Sequence, residues 1–472
     1  MRVTWIDMAD RPAHHLHGQA VEITGWPTRI DPEDSNAPQA ITEEPACCGG
    51  CLPVDPSRFI MLATDLPAQL EAAPLCVSGI LRRRDEDGSW YWEIQPTSIR
   101  PAIANESVIA PGFTRRGMLA AGLAAGLASW IPAAISQAAP SLADIDAARE
   151  WLTGHTTMDL HSHGGAVTTS RSGNRTRPFV PLADPMRSGR MAVICLAVVA
   201  DRIATRVEER RIRAVREPEP GELYAYIHDA FTRLHELVQN QQLGIVTDAK
   251  SLLAANASTP AVIVSSEGAD FLEGKIERVD EAFERWQMRC LQLTHYRVNE
   301  LGDIQTEPAV HDGLTDFGAA VIQRCNRLGI VVDVAHGTYD LVKRAATVSD
   351  KPLILSHTAL NPQPSRYSRT INPDHARLIA ATGGVIGIWP PASSFPTLTA
   401  LAEGMARMVD VVGVDHVGLG TDMLGLISPA ILNSYEQLPD LAAALLAHGF
   451  GKDETLKLLG GNLQRVFLAC LP

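Results

Sequence analysis

From residue 150 onward the chain alternates short apolar runs with longer segments of helical character. The runs are Met158–His161, Met191–Val199, Ala261–Ser266, Cys290–Thr294, Ile330–Ala335, Leu353–Ser356, Val385–Trp389 and His416–Gly420. They are rich in Val, Ile and Leu, with little polar alternation, as strands covered on both faces should be. The helical segments between them are Glu222–Gln239, Lys275–Gln287, Leu314–Leu328, Tyr339–Ala346, Pro373–Ala381, Leu398–Val412 and Leu438–Ala447. Eight strands alternating with helices in this way predict an α/β protein with a (β/α)8 TIM barrel. An apolar run at 243–247 is expected to be an accessory strand or loop. The main rival is an open doubly wound sheet, which usually carries a glycine-rich phosphate loop after its first strand. Here that place is taken by His161-Ser-His-Gly-Gly165.

The first 110 residues read differently. Val21–Gly25, Phe59–Ala63, Leu75–Leu81 and Trp90–Ile94 are short strand patterns separated by turn residues. They predict a small mainly-β domain ahead of the barrel. Residues 1–110 carry eight Arg, no Lys and sixteen acidic residues, so composition breaks near residue 110. Cys47, Cys48 and Cys51 contain one CxxC, and His14, His15 and His17 stand upstream. A structural zinc site needs four ligands at suitable spacing, and no second CxxC completes one. Cys195, Cys290 and Cys325 sit in or beside apolar runs and are expected to be buried, reduced thiols.

Residues 117–143 contain no charged side chain, and Thr114-Arg115-Arg116-Gly117 stands immediately before them. A twin arginine followed by an Ala/Gly-rich apolar stretch resembles a bacterial twin-arginine export signal, with Ser136-Gln137-Ala138 as a small-residue cleavage site. The expected organisation is therefore 1–110, a small β domain; 111–140, an export signal, anchor or linker; and 141–472, the barrel. A periplasmic or exported location follows, or a membrane anchor through the 115–135 segment if it is not cleaved. The 113 residues ahead of the signal imply either a fusion with a cytoplasmic first domain or a true start near Val108.

Chemistry concentrates where the barrel strands end. Strand one ends in Asp159-Leu-His161-Ser-His163, strand three in Ser266-Glu267-Gly268 and strand four in Thr294-His295. Strand five ends in Asp333-Val-Ala-His336, strand six in Ser356-His357 and strand eight in Gly420-Thr421-Asp422. In a (β/α)8 barrel these ends converge on one face. The HxH spacing places both imidazoles of strand one on the same side. Imidazole with carboxylate suits Zn, Mn, Fe or Co. His161, His163, His336 and His357 with one Glu exceed one tetrahedral site, so two ions sharing a carboxylate are expected. The net charge of −13 is a poor footprint for nucleic acid.

His161, His163, His336, His357 and Asp422 together look like an amidohydrolase-type metal barrel. More narrowly, residues 155–472 resemble the membrane (renal) dipeptidase family of zinc metallopeptidases. The resemblance rests on Ser266-Glu-Gly268, Leu293-Thr-His-Tyr-Arg-Val-Asn-Glu-Leu-Gly302, Val332-Asp-Val-Ala-His336 and Leu355-Ser-His-Thr358. It extends to Gly383-Gly-Val-Ile-Gly-Ile388, His416-Val-Gly-Leu-Gly-Thr-Asp422 and Gly460-Gly-Asn-Leu-Gln-Arg-Val-Phe467. The resemblance implies hydrolysis of dipeptides by a metal-activated water, with two Zn ions (Mn or Co as substitutes). It makes Glu267 the bridging ligand, His161 and the residue at 163 ligands of one ion, and His336 and His357 ligands of the other. It gives Asp422 the proton transfer, His295 the oxyanion, and Arg369 the substrate's terminal carboxylate, with Arg366 a rival for that last role.

Two departures stand out. The family usually has His-x-Asp on strand one, and this chain has His163 at the Asp position. That removes one negative charge from a site meant to hold two dications. After strand eight the family often continues Asp-Phe-Asp-Gly, and Asp422-Met-Leu-Gly425 keeps only the first acid. Asn174–Arg190, rich in Arg and Pro, is expected at the pocket rim. The nearest alternative activity is hydrolysis of an N-acyl amino acid, a cyclic amide or a lactone. An alternative of another class is a non-catalytic metal- or ligand-binding barrel. Expected partners are a small peptide substrate and a second copy of the chain in a homodimer.

Overall fold

The computed structural model describes residues 16–29, 39–42, 59–63, 75–86, 89–101, 140–168, 178–208, 211–427 and 429–472. These fall into two units, one of the described N-terminal residues together with 427 and 429, and one of the remaining described residues. The CxxC cysteines, His14, His15, the twin arginine and the apolar segment after it lie outside the described residues.

In the N-terminal unit five strands close into a small barrel: β1 (Ala20–Arg29), β2 (Gln39–Thr42), β3 (Phe59–Leu62), β4 (Leu75–Glu86) and β5 (Ser89–Pro101), in the order β1-β2-β3-β5-β4. Alternate residues fill it: Val21 and Ile23 of β1, Leu75, Val77 and Leu81 of β4, and Trp92 and Ile94 of β5 are buried together. Closure leaves no free sheet edge. All pairs are antiparallel except β3 with β5. β4 is bulged at Ser78/Gly79, and a Cβ on Gly79 would strike the Gln95 carbonyl. The four expected strands are all present, and Gln39–Thr42 is an additional one. His17 is exposed, and its Nδ1 accepts a hydrogen bond from the Arg83 amide at 3.1 Å.

The larger unit holds β6 (Met158–Ser162), β7 (Val193–Val199), β8 (Thr205–Glu208), β9 (Arg211–Ala214), β10 (Gly244–Ile245), β11 (Ala261–Glu267), β12 (Met288–Gln292), β13 (Val331–Asp333), β14 (Ile354–Thr358), β15 (Val385–Ile388) and β16 (Val417–Leu419). The eight expected strands lie side by side in chain order, β6-β7-β11-β12-β13-β14-β15-β16, and every neighbouring pair is parallel. β10 adds to β11 off this path, the accessory strand expected at 243–247. β8 and β9 form a separate hairpin in the loop after β7.

The ring closes just beyond β16. Met423 bridges Ser162 in parallel, the Asp422 amide donates to the His161 carbonyl at 3.0 Å, and the His163 amide donates to the Met423 carbonyl at 2.8 Å. Buried Asp159 clasps the seam, accepting from the Thr421 amide (2.9 Å), the Thr421 hydroxyl and the Tyr435 hydroxyl (2.7 Å).

The strands are wholly buried because helices cover their outer faces, as their unbroken apolar character requires. At the strand starts, Cys195, Ile263, Cys290, Val331, Ile354 and Val385 pack with Leu463, Val466 and Phe467 of the helix Asn462–Cys470. That cluster fills the N-terminal end of the barrel and leaves the C-terminal end for polar groups. Cys76, Cys195, Cys290, Cys325 and Cys470 are buried thiols.

Several boundaries differ from expectation. β12 starts two residues early, at Met288, because Arg289 snorkels to the carbonyls of Thr247, Phe283 and Met288. It stops at Gln292, where the chain turns into the site. Caps set the helix starts: Thr315 caps Asp316–Leu328, Thr338 caps Tyr339–Val348, and Asn372 with Pro373 starts Pro373–Ala381.

Candidate active site

The structure brings together all six His- or acid-bearing strand ends. The hub is Glu267, the last residue of β11, buried among five imidazoles. Its Oε1 lies 3.4 Å from His161 Nε2, 3.3 Å from His336 Nε2 and 3.6 Å from His357 Nε2. Its Oε2 lies 3.2 Å from His163 Nε2 and 3.3 Å from His295 Nε2. The HxH of β6 works as its spacing predicts, with the two Nε2 atoms 3.2 Å apart. His336 and His357 Nε2 are 3.0 Å apart. Asp422 Oδ1 stands 3.4 Å from His163 Nε2 and 3.9 Å from His161 Nε2.

Three of the rings are held from behind, those of His163, His357 and His295, whereas His336 Nδ1 has no partner among the described residues. His163 Nδ1 donates to the Ala197 carbonyl at 2.8 Å, which aims Nε2 at Glu267. His357 Nδ1 pairs with the Ser356 hydroxyl at 2.9 Å. Ser356 and Ala335 donate their amides to Asp333, so the acid of strand five supports the backbone instead of facing the centre. His336, at the end of its strand, has φ +69°, a left-handed conformation that turns its ring inward. Asp422 (φ +49°) and Leu424 (φ +61°) are left-handed too. Gly425 lies so close that a Cβ there would overlap Asp422 Oδ1 and His163 Cδ2.

The electrostatics suit cation binding. Burial opposes charge on Glu267, but His295 and His161 overcome it and hold the carboxyl well below its usual range. Burial drives His336 and His357 well below the ordinary imidazole value, Arg369 adding to the first and His161 to the second. Both therefore offer lone pairs. Burial also opposes charge on His163, yet hydrogen bonds to Asp422 and Glu267 raise it to about 10 in the metal-free centre. Among the described residues, His161/His163/Asp422, His161/Glu267/His357 and Glu267/His295/His336 each bring three ligand atoms together. Imidazole nitrogens around an ionised two-oxygen hub form a donor set that fits divalent metal, which would take the place of the protons held there.

The two arginine candidates separate. Arg369 is buried, with Nη2 3.3 Å from the His357 carbonyl, Nη1 on the Gln305 side-chain oxygen, and Nε without a partner among the described residues. Its guanidinium lies 5.6 Å from the Trp389 ring. Arg366 is exposed and stacks over Tyr367.

Three contributors escaped the sequence reading. Asp201, two residues past β7, accepts from His295 Nδ1 at 2.7 Å and from the Tyr296 amide at 3.0 Å. Strand two thus supplies an acid as well. Tyr296 packs edge-on against His295 and His336, and burial raises its hydroxyl above the ordinary phenol value. Gln305 anchors Arg369. Of the expected rim segment 174–190, residues 183–189 form a short helix.

A family described as membrane dipeptidase (peptidase family M19) matches residues 222–470. Dipeptidase aclJ of Aspergillus oryzae is 27% identical over 276 residues, 54% of this chain and 64% of its own length. Dipeptidase 3 of Mus musculus is 29% identical over 239 residues, 48% of this chain and 47% of its own. The chain thus spans less than two thirds of either curated relative. Among solved structures, the probable dipeptidase PvdM from Pseudomonas aeruginosa superposes with a TM-score of 0.59 at 17% identity, over 70% of this chain and 98% of that one. At that identity the likeness shows a shared fold.

Proposed function

The chain belongs to the membrane dipeptidase family, peptidase family M19, and from that premise we propose that it is a metal-dependent hydrolase cleaving the amide bond of dipeptides. The observation that carries this reading is the position of Glu267, whose two oxygens face five imidazole Nε2 atoms at 3.2–3.6 Å. Two divalent ions, zinc in this reading, would be held by His161 with His163 and by His336 with His357, Glu267 being shared. Such ions polarise a carbonyl and lower the pKa of water.

The chain's own groups do the rest. Arg369 presents an unpaired buried N–H and fixes the terminal carboxylate of the substrate, as a guanidinium fork does well. Asp422, at the edge of the imidazole cluster, takes a proton from the attacking water and gives it to the leaving amine. His295 donates from Nε2 to the developing oxyanion, and Asp201 on its Nδ1 fixes the ring and balances its charge. Burial of the cluster strengthens each of these interactions.

Chelator-treated protein should not cleave dipeptides, and added Zn2+ should restore turnover. Equal turnover with and without metal would contradict the reading. We also propose export through the Arg115-Arg116 segment, and a homodimer as the working form. No helix among the described residues is long and apolar enough to cross a membrane. Mass-spectrometric mapping of the native N-terminus checks export, and an uncleaved chain from Met1 would contradict it. Light scattering checks the dimer.

A further inference from the structure

Two buried N–H groups at the barrel mouth have nothing to bond. Arg369 Nε and Trp389 Nε1 both lack a hydrogen-bond partner among the described residues. The Trp389 ring lies 5.6 Å from the Arg369 guanidinium carbon and 6.0 Å from the His357 ring. One residue ties both to the end of β14. The Thr358 carbonyl accepts from the Trp389 amide at 3.0 Å, and the Thr358 hydroxyl donates to the Arg369 carbonyl at 2.8 Å. Trp389 directly follows β15, so the sheet itself sets where its ring stands.

Buried donors are rarely left unmade, because the folded chain then bears the whole cost of taking them out of water. Acceptors beside Arg369 are already engaged. The His357 carbonyl faces Nη2, the Gln305 side-chain oxygen faces Nη1, and the Tyr296 hydroxyl pairs with the same guanidinium. What would satisfy both orphans at once is a group with two acceptor oxygens. An ionised carboxylate is such a group, and it accepts only. Arg369 brings the charge for one oxygen. Trp389 brings a neutral N–H, and an indole donates only: no rotation or tautomer makes it an acceptor.

We infer that Trp389 holds the second oxygen of the substrate's terminal carboxylate, so that Arg369 and Trp389 together admit a free C-terminus and turn away a chain that continues. The inference rests on the dipeptide reading above and names the residue that limits substrate length. In a longer peptide, or in a C-terminal carboxamide, an N–H replaces one carboxylate oxygen. Arg369 still bonds the oxygen that remains. The new N–H meets the Trp389 N–H, donor against donor, and neither can accept. A site built around a hydrogen bond rejects an analogue that cannot make it. The facing donors add the repulsive element that specificity needs.

The test compares leucyl-alanine with leucyl-alaninamide on the zinc-reconstituted full chain, in the unmodified protein, in Trp389→Phe and in Trp389→His. Phenylalanine keeps an aromatic ring beside Arg369 and His357 and removes the N–H. The unmodified protein should favour the acid by about 1000-fold or more in kcat/KM. In Trp389→Phe that ratio should fall about tenfold or more, through a higher KM for the acid with no loss on the amide. Lost packing alone would slow both compounds alike. In Trp389→His a neutral ring nitrogen accepts from the amide, so kcat/KM on leucyl-alaninamide should rise about tenfold, a gain that misfolding cannot produce. Acid and amide slowed in equal proportion by Trp389→Phe, or an amide that Trp389→His cleaves no better, overturns the inference and leaves the hydrolase reading standing. Failure of the unmodified protein to cleave leucyl-alanine overturns the dipeptide reading itself.

Discussion

His295 Nδ1 lies 2.7 Å from the buried carboxylate of Asp201, a residue 94 positions earlier in the chain. This pair fixes the ring that faces Glu267 and joins the ends of β7 and β12. Asp201→Asn keeps the volume and removes the charge. We expect kcat to fall about 10- to 100-fold, as for other groups that orient active-site rings. KM and bound metal should stay close to those of the unmodified protein. Steady-state kinetics with elemental analysis checks this, and unchanged kcat would show that Asp201 only packs.

Arg369 and Arg366 are three residues apart and should behave differently. Arg369→Met should raise KM about 100-fold, the scale of a lost charge-assisted pair. A substrate whose terminal carboxylate is replaced by carboxamide should lose that sensitivity. Arg366→Ala should change KM by less than about threefold, because an exposed arginine contributes little. Kinetics on the acid and amide forms of one substrate separates the two residues.

Gly425 is expected to be intolerant of any side chain, since a Cβ would overlap both Asp422 and His163. Gly425→Ala should displace these groups and lower kcat/KM about 100-fold, the usual effect of a small misplacement in an active site. The thermal midpoint should fall less steeply than activity. Kinetics beside thermal unfolding checks this.

How much of this was legible in the sequence follows from the range of each interaction. A strand buried on both faces shows itself locally, so the eight barrel strands and their His- and acid-bearing ends could be read directly. So could the same-side placement of His161 and His163, which needs only strand periodicity. Asp201 could not. It is a single acid two residues past Val199, with no motif around it, and its partner lies on another strand. The seam had the same character: Asp159 finds Thr421 across 262 residues. Only the family resemblance put Arg369 ahead of Arg366 in the sequence, because which of them is buried depends on how the loop turns. The N-terminal strands were readable, but the four-residue β2 was too short to stand out.

Buried His375 offers a test by pH. Burial, reinforced by Arg369, lowers its pKa to about 4 from the ordinary 6.5. Its Nε2 has no partner among the described residues. The folded state therefore holds the neutral ring while the unfolded chain accepts a proton below 6.5. The resulting stability is fully present above pH 6.5 and is lost as pH falls toward 4. The full loss is about 3 kcal/mol by linkage. His375→Leu should lose correspondingly less stability between pH 7 and pH 4.5. Urea unfolding at several pH values checks this, and parallel curves for the two proteins would contradict it.

The most direct test of the account is a titration of metal-free protein with Zn2+, following bound metal and amide hydrolysis together in the unmodified chain and in Glu267→Gln. The account predicts no turnover without metal, turnover that rises as two equivalents bind, and loss of both in Glu267→Gln. Full hydrolysis by the metal-free protein, or undiminished metal binding and activity in Glu267→Gln, would contradict it.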